Sequence, residues 1–206
     1  MVCAIHDKSR KQSDELVMSL LEPDLPPGLT YVANWLTIQE HENAVLAIDQ
    51  SPFDTSLQRR VQHYGARYDY VSSSISDLGS APKIPVVLNM IGERLFTEGY
   101  FPRAPEQVIV NEYLADQGIS AHIDQASFGG VVATISLLES WPMLFRRVDD
   151  SEKVRVFLEV RSLALMTGES RYGWTHEIAK RKVDLDGGLK KFRKRRLSLT
   201  FRILGD

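Results

Sequence analysis

One cysteine, Cys3, stands among the 206 residues, so no disulfide can form within the chain, and the composition suits a reducing compartment. No apolar run approaches the roughly 20 residues that a helix needs to cross a bilayer. The opening stretch MVCAIHDKSRKQSDELVM has no long apolar segment of the kind a secretory signal carries. These absences lead us to expect an intracellular protein, cytoplasmic or, in a eukaryote, nuclear, with no membrane partner. Internal repeats and low-complexity tracts are also missing. What remains is ordinary: 43% hydrophobic and 25% charged residues, enough for one buried core. A single domain acting as a monomer is the simplest expectation.

Acidic and basic residues nearly balance, 27 against 25, but not along the chain. Nine basic residues fall between Lys180 and Arg196, opposed only by Asp184 and Asp186. Elsewhere 16 basic residues face 25 acidic ones. A basic loop on an acidic body could steer a polyanion to one face. Charge alone fits a solvated loop between strands equally well.

Residues 1–27 read as a loosely ordered lead-in that ends in the turn-forming Pro23-Asp-Leu-Pro-Pro-Gly28, with one domain over 28–206. Thr37-Ile-Gln-Glu40 has the capping-box pattern and predicts a helix to about Ile48. A second helix is predicted from Pro85 to Gly99, with Val87, Met90, Ile91 and Leu95 at helical spacing. Beyond Pro105 the period becomes two. Gln107–Leu114, Val131–Leu138, Val154–Val160, Leu163–Met166 and Leu197–Ile203 read as strands, with Gly129-Gly130 and Asp149-Asp150 as turn signals. The fold class is therefore mainly β with flanking helices (α+β), the helices packing outside a sandwich or barrel.

His122 and Asp124 are two apart, so in an extended segment they share a face and can grip one ion. His176, in Arg171-Tyr-Gly-Trp-Thr-His176, is the candidate third ligand. Two histidines and a carboxylate with other positions open is the donor set of non-haem Fe(II) oxygenases. His6, His41 and His63 read as surface or structural histidines. Arg196 and Arg202 lie six apart, so Arg196, Ser198, Thr200 and Arg202 project to one face and Leu197, Leu199, Phe201 and Ile203 to the other. Guanidinium forks pair bidentately with carboxylates, so two of them suit a small dicarboxylate. An edge strand with solvated arginines has the same pattern. Asn111 and Tyr113 set an amide and a phenol on one strand face, both able to donate to the same diacid.

Together, Asn111-Glu-Tyr113, His122-Ile-Asp124, Gly168-Glu-Ser-Arg171, His176 and the Arg196-to-Arg202 pair resemble the AlkB family of Fe(II)/2-oxoglutarate dioxygenases, from about Tyr31 to Arg202. The resemblance implies a double-stranded β-helix (jelly-roll) core, with His122, Asp124 and His176 as iron ligands. It implies that Arg202 meets the C1 carboxylate end of 2-oxoglutarate and Arg196 the distal carboxylate, with Asn111, Tyr113 and Ser198 completing the hydrogen bonds. Fe(II), 2-oxoglutarate and O2 are the implied cofactor and cosubstrates, and the reaction is hydroxylation or oxidative demethylation of a substrate C–H bond with release of succinate and CO2.

For the substrate, Arg59-Arg-Val-Gln-His-Tyr-Gly65 and Arg67-Tyr-Asp-Tyr70 resemble the segment that forms part of the family's nucleotide-recognition lid. Basic and aromatic residues interleaved there suit phosphate contact and base stacking. Gln62, Tyr64, Tyr68, Tyr70 and Arg171 are thus candidate substrate contacts, although a Tyr-rich strand packed on the core, and a buried ion pair for Arg171, fit the same residues. Several AlkB-like repair enzymes carry a further acid just after His-x-Asp; this chain has Gln125 and Ala126 there, and looks more like the homologues that modify the tRNA wobble uridine. The expected partner is DNA or RNA with a modified base. A protein-directed oxygenase and a catalytically silent nucleic-acid-binding jelly roll are the alternatives.

Overall fold

The computed structural model describes residues 25–65, 67–69, 74–76, 81–149, 152–186 and 188–205. The elements run β1 (Leu29–Val32), α1 (Ile38–Asp49), β2 (Arg60–Gly65), β3 (Arg67–Asp69), β4 (Ser74–Ser76), α2 (Val86–Thr97), β5 (Gln107–Tyr113), β6 (Ile119–His122), β7 (Phe128–Leu137), β8 (Trp141–Arg147) and β9 (Lys153–Leu158). They continue with β10 (Leu163–Thr167), α3 (Gly168–Tyr172), β11 (Trp174–Ile178), β12 (Val183–Asp186), β13 (Leu189–Phe192) and β14 (Arg196–Leu204). A six-stranded sheet, ordered β1-β10-β7-β14-β5-β2, faces a four-stranded sheet, ordered β6-β11-β8-β9; every pairing in both is antiparallel. This is the mainly β architecture with helices outside that the strand periods predict, and the jelly roll that the resemblance implies. Among the described residues no helix is long and apolar enough to cross a membrane.

The two long helices, α1 and α2, start and stop where the sequence signals lie. Thr37 Oγ1 accepts from Glu40 N at 3.1 Å, and the Glu40 carboxylate accepts from Thr37 N at 2.8 Å, so two otherwise orphan donors of α1 are satisfied. Pro85 stands at the N-cap of α2, and Gly99, with φ at 81°, turns the chain past its end. The α2 stripe differs from the expected one by one position. Leu88, Ile91 and Leu95 are buried, whereas Met90 is 66% exposed, because the helix meets the sheet along the i, i+3, i+7 line that starts at Leu88.

The large sheet is buried on both faces, and its strand alternation sorts two cores. On the helix side, Val108, Val110, Leu197, Leu199, Phe201, Ile135 and Leu137 pack with Ile48, Leu88, Ile91 and Leu95. Towards the small sheet, Tyr113, Val132, Ala164 and Met166 meet Trp141, Met143, Phe145, Trp174 and Ile178. Each large apolar side chain so buried contributes roughly 1.5–3 kcal/mol. The inner face of β14 instead carries Arg196, Ser198, Thr200 and Arg202, and it borders a cavity. Leu197, Leu199, Phe201 and Ile203 pack outward as expected.

Two sequence expectations are corrected here. Gly129-Gly130 lies inside β7 and makes no turn; a Cβ on Gly129 would stand 2.6 Å from Ile203 Cγ1, so the glycine permits close strand approach. The basic stretch is no solvated loop. It folds as the β12–β13 hairpin, and Arg193, Arg195, Arg181 and Lys191 are paired with Asp184, with Asp49 and Glu112, with Asp184, and with Glu139. Of the lead-in, residues 1–24 lie outside the described residues; Leu25 packs partly against the core and Pro26 O accepts from Leu29 N at 2.9 Å.

Candidate active site

β6 and β11 pair with His122 opposite His176, which places the two imidazoles on adjacent strands of the small sheet, ring centroids 4.3 Å apart. Asp124 follows two residues after His122, and its Oδ2 stands 3.8 Å from His176 Nε2. All three line a cavity of about 560 Å³ between the sheets, within the usual size of a small-molecule site. Nδ1 of His122 faces the Ser120 carbonyl at 2.8 Å, a contact that needs the proton on Nδ1 and leaves the Nε2 lone pair for a metal. Burial lowers the His176 imidazole to about 4, so it is neutral at pH 7, the form that coordinates. Burial by itself would raise the Asp124 carboxyl, but Arg202, His176 and His122 hold it below the usual carboxylate range.

No three His, Cys, Asp or Glu side chains among the described residues close around a single point. One oxygen of Asp124 is bound to Arg202 Nη2, which turns the carboxylate towards the large sheet. Two donors about 2.1 Å from one ion stand about 3 to 3.5 Å apart, so the 3.8 Å between Asp124 and His176 closes with a small side-chain rotation. The donor set is one that iron accepts.

The opposite wall is built by β14 with its neighbours. Register places Arg196 beside Tyr113, Ser198 beside Asn111 and Ser136, Thr200 beside Thr134, and Arg202 beside Gln107. Arg202 donates to Gln107 Oε1 at 3.1 Å and lies over the Phe128 ring, 4.7 Å from its centre. Arg196 is fully buried, donates from Nη2 to Ser136 Oγ at 2.8 Å and faces the Tyr113 ring at 5.6 Å. Its Nε and Nη1 have no hydrogen-bond partner among the described residues, and no carboxylate pairs with it. Burial pushes this guanidinium down to about 10. A buried cation with free donors and no counter-ion fits an anionic ligand. Asn111 Oδ1 accepts from Arg59 Nε at 2.8 Å, which fixes the amide and leaves its NH2 to donate. Burial raises the Tyr113 phenol, so its proton stays in place as a donor.

The substrate candidates divide. Gln62 and Tyr64 lie on the helix face of β2: Gln62 donates to the carbonyls of Ile48 and Ser51, and Tyr64 donates to Gln62. Their partners across the ladder are Val110 and Val108, on the outer core face. Parity thus sends Val61 and His63 to the cavity, and His63, read as a bystander, lines it. Tyr68 belongs to β3, and Tyr70 lies outside the described residues. Among the described residues Arg171 makes neither an ion pair nor a cavity wall. It donates to Asp124 O at 2.8 Å, Gln125 O at 2.7 Å and Phe128 O at 3.4 Å, clasping the loop that carries Asp124. Of the residues that sequence reasoning passed over, Arg59 and Lys180 line the cavity. Arg59 stood inside a recognised segment, and only the β2–β5 register could single it out. His6 lies outside the described residues, and His41 accepts from Leu138 N at 3.1 Å in a structural role.

Comparison with known proteins agrees with this geometry. Residues 28–202 match the family model described as the 2OG-Fe(II) oxygenase superfamily. The chain is 35% identical over 178 residues to the Mus musculus tRNA (carboxymethyluridine(34)-5-O)-methyltransferase ALKBH8, covering 82% of this chain and 27% of that protein. It is 29% identical to the Alkylated DNA repair protein ALKBH8 homolog of Arabidopsis thaliana, over 92% of this chain and 62% of that one. The chain thus spans about a quarter of the length of its mouse relative. The structure of OsALKBH1 superposes with a TM-score of 0.68 at 22% identity, covering 87% of this chain and 99% of that one, which shows the shared fold. With two imidazoles and a carboxylate lining the cavity, a buried unpaired arginine on the inner face of β14, and a family match that spans them all, the chain belongs to the 2OG-Fe(II) oxygenase superfamily, among its AlkB-like members.

Proposed function

We propose that this chain is an intracellular Fe(II)/2-oxoglutarate-dependent dioxygenase, one AlkB-like domain over residues 28–206 acting as a monomer, which oxidises a modified base in DNA or RNA. The observation that carries the reading is Arg196, a fully buried guanidinium with two free donors in the same fold as His122, Asp124 and His176. Iron bound with 2-oxoglutarate supplies, with O2, the oxidising power for a substrate C–H bond, releasing succinate and CO2. His122, Asp124 and His176 would hold the iron. Arg196 would take the distal carboxylate of 2-oxoglutarate, and Asn111, Tyr113 and Ser198 would donate along its length. Arg202 would reach the near carboxylate while it keeps Asp124 ionised and oriented. Burial of this wall keeps water away from the reacting end.

The cavity's charge narrows the base. Asp124 is the one carboxylate among the described lining residues, and Arg202 already neutralises it. Arg59 and Lys180 add positive charge to the same lining. A cationic alkylated base finds repulsion there, whereas a neutral base with acceptor oxygens, such as a modified uridine, finds donors. The tRNA-modifying relative supports this choice. The test is mass spectrometry of a panel of oligonucleotides and tRNA incubated with enzyme, iron, 2-oxoglutarate and ascorbate. We expect oxidation of a neutral modified pyrimidine, and loss of substrate-dependent succinate formation in His122→Ala and Asp124→Ala. Wild-type turnover by either variant would overturn the assignment; exclusive oxidation of 1-methyladenine or 3-methylcytosine would overturn the choice of base.

A further inference from the structure

The β12–β13 hairpin carries side chains that the cavity does not use. Its register sets Val183 opposite Phe192 and Leu185 opposite Lys190, so these four share one face. Phe192 is 70% exposed and Leu185 57%; Leu189, beside the turn, is 76% exposed. Lys182, Lys190 and Lys194 are exposed on the same element or at its base. Lys194 donates its backbone N–H to Glu139 at 2.8 Å, but the ammonium of none of the three pairs with a carboxylate among the described residues, unlike the side chains of Arg181, Lys191, Arg193 and Arg195.

The other face explains why the first is presented at all. Asp184 is buried and takes both ends of Arg193, at 2.6 and 3.1 Å. That guanidinium also donates to Ala179 O at 2.7 Å and lies 4.2 Å over the Trp141 ring. Lys191 reaches Glu139 at 3.7 Å and stands over the Phe157 ring. The hairpin is therefore fastened to the small sheet through one face and holds an aromatic, an aliphatic and unpaired ammonium groups to solvent on the other. The platform's backbone is ordered before a partner arrives, so binding has only side-chain rotamers left to fix. Its base adjoins the cavity, since Lys180, three residues before β12, lines the cavity and donates to Gln58 Oε1 at 2.7 Å.

We propose that this hairpin holds the single-stranded or looped nucleic acid on either side of the base that enters the cavity. Phe192 stacks on a neighbouring base, and Lys182, Lys190 and Lys194 pair with phosphates. The inference rests on the nucleic-acid reading above. Charge complementarity selects the partner: a polyanion is drawn to three unpaired lysines on a chain that is otherwise acidic, and the exposed ring supplies the sequence-tolerant stacking that single strands use.

The experiment is fluorescence anisotropy of the full chain with unmodified single-stranded RNA and DNA oligonucleotides over a range of salt, beside vesicles of anionic phospholipid. Phe192→Ala is expected to weaken RNA binding roughly 5- to 100-fold, the size of one lost base–aromatic stack, with the salt slope unchanged. The triple variant Lys182→Gln, Lys190→Gln, Lys194→Gln is expected to flatten that slope by about 2, from a loss near 0.7 for each phosphate contact. Both should keep the thermal shift given by Mn(II) with 2-oxoglutarate, which shows the fold and the oxygenase site intact. Unchanged RNA binding in both variants overturns the proposal while leaving the oxygenase reading standing. Loss of vesicle binding without loss of RNA binding overturns it too and assigns the face to lipid. No RNA or DNA binding by the wild type removes the hairpin proposal together with the nucleic-acid reading.

Discussion

Arg196→Met should stabilise the ligand-free protein and abolish its response to 2-oxoglutarate. The guanidinium is fully buried, and burial pushes it from its ordinary value down to about 10. At about 1.4 kcal/mol for each tenfold change in proton affinity, holding it charged in the fold costs about 3 kcal/mol. The sign follows from linkage: a cation whose folded proton affinity is depressed is penalised fully at pH 7, and relief comes only as pH rises above about 10. Methionine removes the charge and fills similar space. Against the gain stand the lost hydrogen bond to Ser136, about 1 kcal/mol, and the lost contact with the Tyr113 ring, about 0.5–1 kcal/mol. A net gain of about 1–2 kcal/mol raises Tm by roughly 2–6 °C in a chain of this length. Ligand reverses the order: with Mn(II) present and 2-oxoglutarate at about 100 times its Kd, the wild type gains about 2.7 kcal/mol and the variant none. Paired thermal melts with and without ligand measure both effects. A variant that melts below the wild type without ligand and still responds to 2-oxoglutarate would refute the anion-site argument.

Two further outcomes follow from buried charges elsewhere. Arg171→Met leaves the carbonyls of Asp124 and Gln125 without their donor, so Mn(II) affinity measured by titration calorimetry should fall about 10- to 100-fold, with Arg171→Lys recovering only part because one ammonium cannot fork between two carbonyls; unchanged affinity would show that the Asp124 loop holds itself. Glu112 is fully buried, and although burial alone would raise its carboxyl, Arg60 and Arg195 hold it below the usual range. It therefore contributes stability above about pH 4.3, which is lost as pH falls through the lower folded value. Because both arginines are partly exposed, Glu112→Gln should cost about 1–2 kcal/mol at pH 7, or about 2–6 °C in Tm, and should flatten the acid limb of a Tm–pH profile. An acid limb as steep as the wild type's would place the pH sensitivity elsewhere.

The helices were legible because their signals are local: the Thr37–Glu40 box and the Pro85 and Gly99 boundaries need only a few neighbouring residues. Strands β5, β7, β9, β10 and β14 were legible through period two. Strands β1, β6 and β11 escaped notice because they are short, and β8 because Trp141–Arg147 breaks the alternation where bulky residues pack between the sheets. The Met90 misreading shows the limit of a periodic pattern, since two adjacent stripes fit the same apolar positions and only the docked sheet chooses Leu88.

For the site, the spacings alone put His122 with Asp124, Asn111 with Tyr113, and Arg196 with Ser198 and Arg202, because side-chain direction in a strand is fixed by parity. Parity does not say which strands are neighbours. Only the tertiary structure set His176 against His122, laid Arg196 beside Tyr113 and Ser136, turned Gln62 and Tyr64 into the core, and bound Arg171 to the Asp124 loop. The physical reason is that these contacts depend on strand register across more than 40 residues of intervening chain, where cross-strand packing, rather than any local preference, decides which side chains meet.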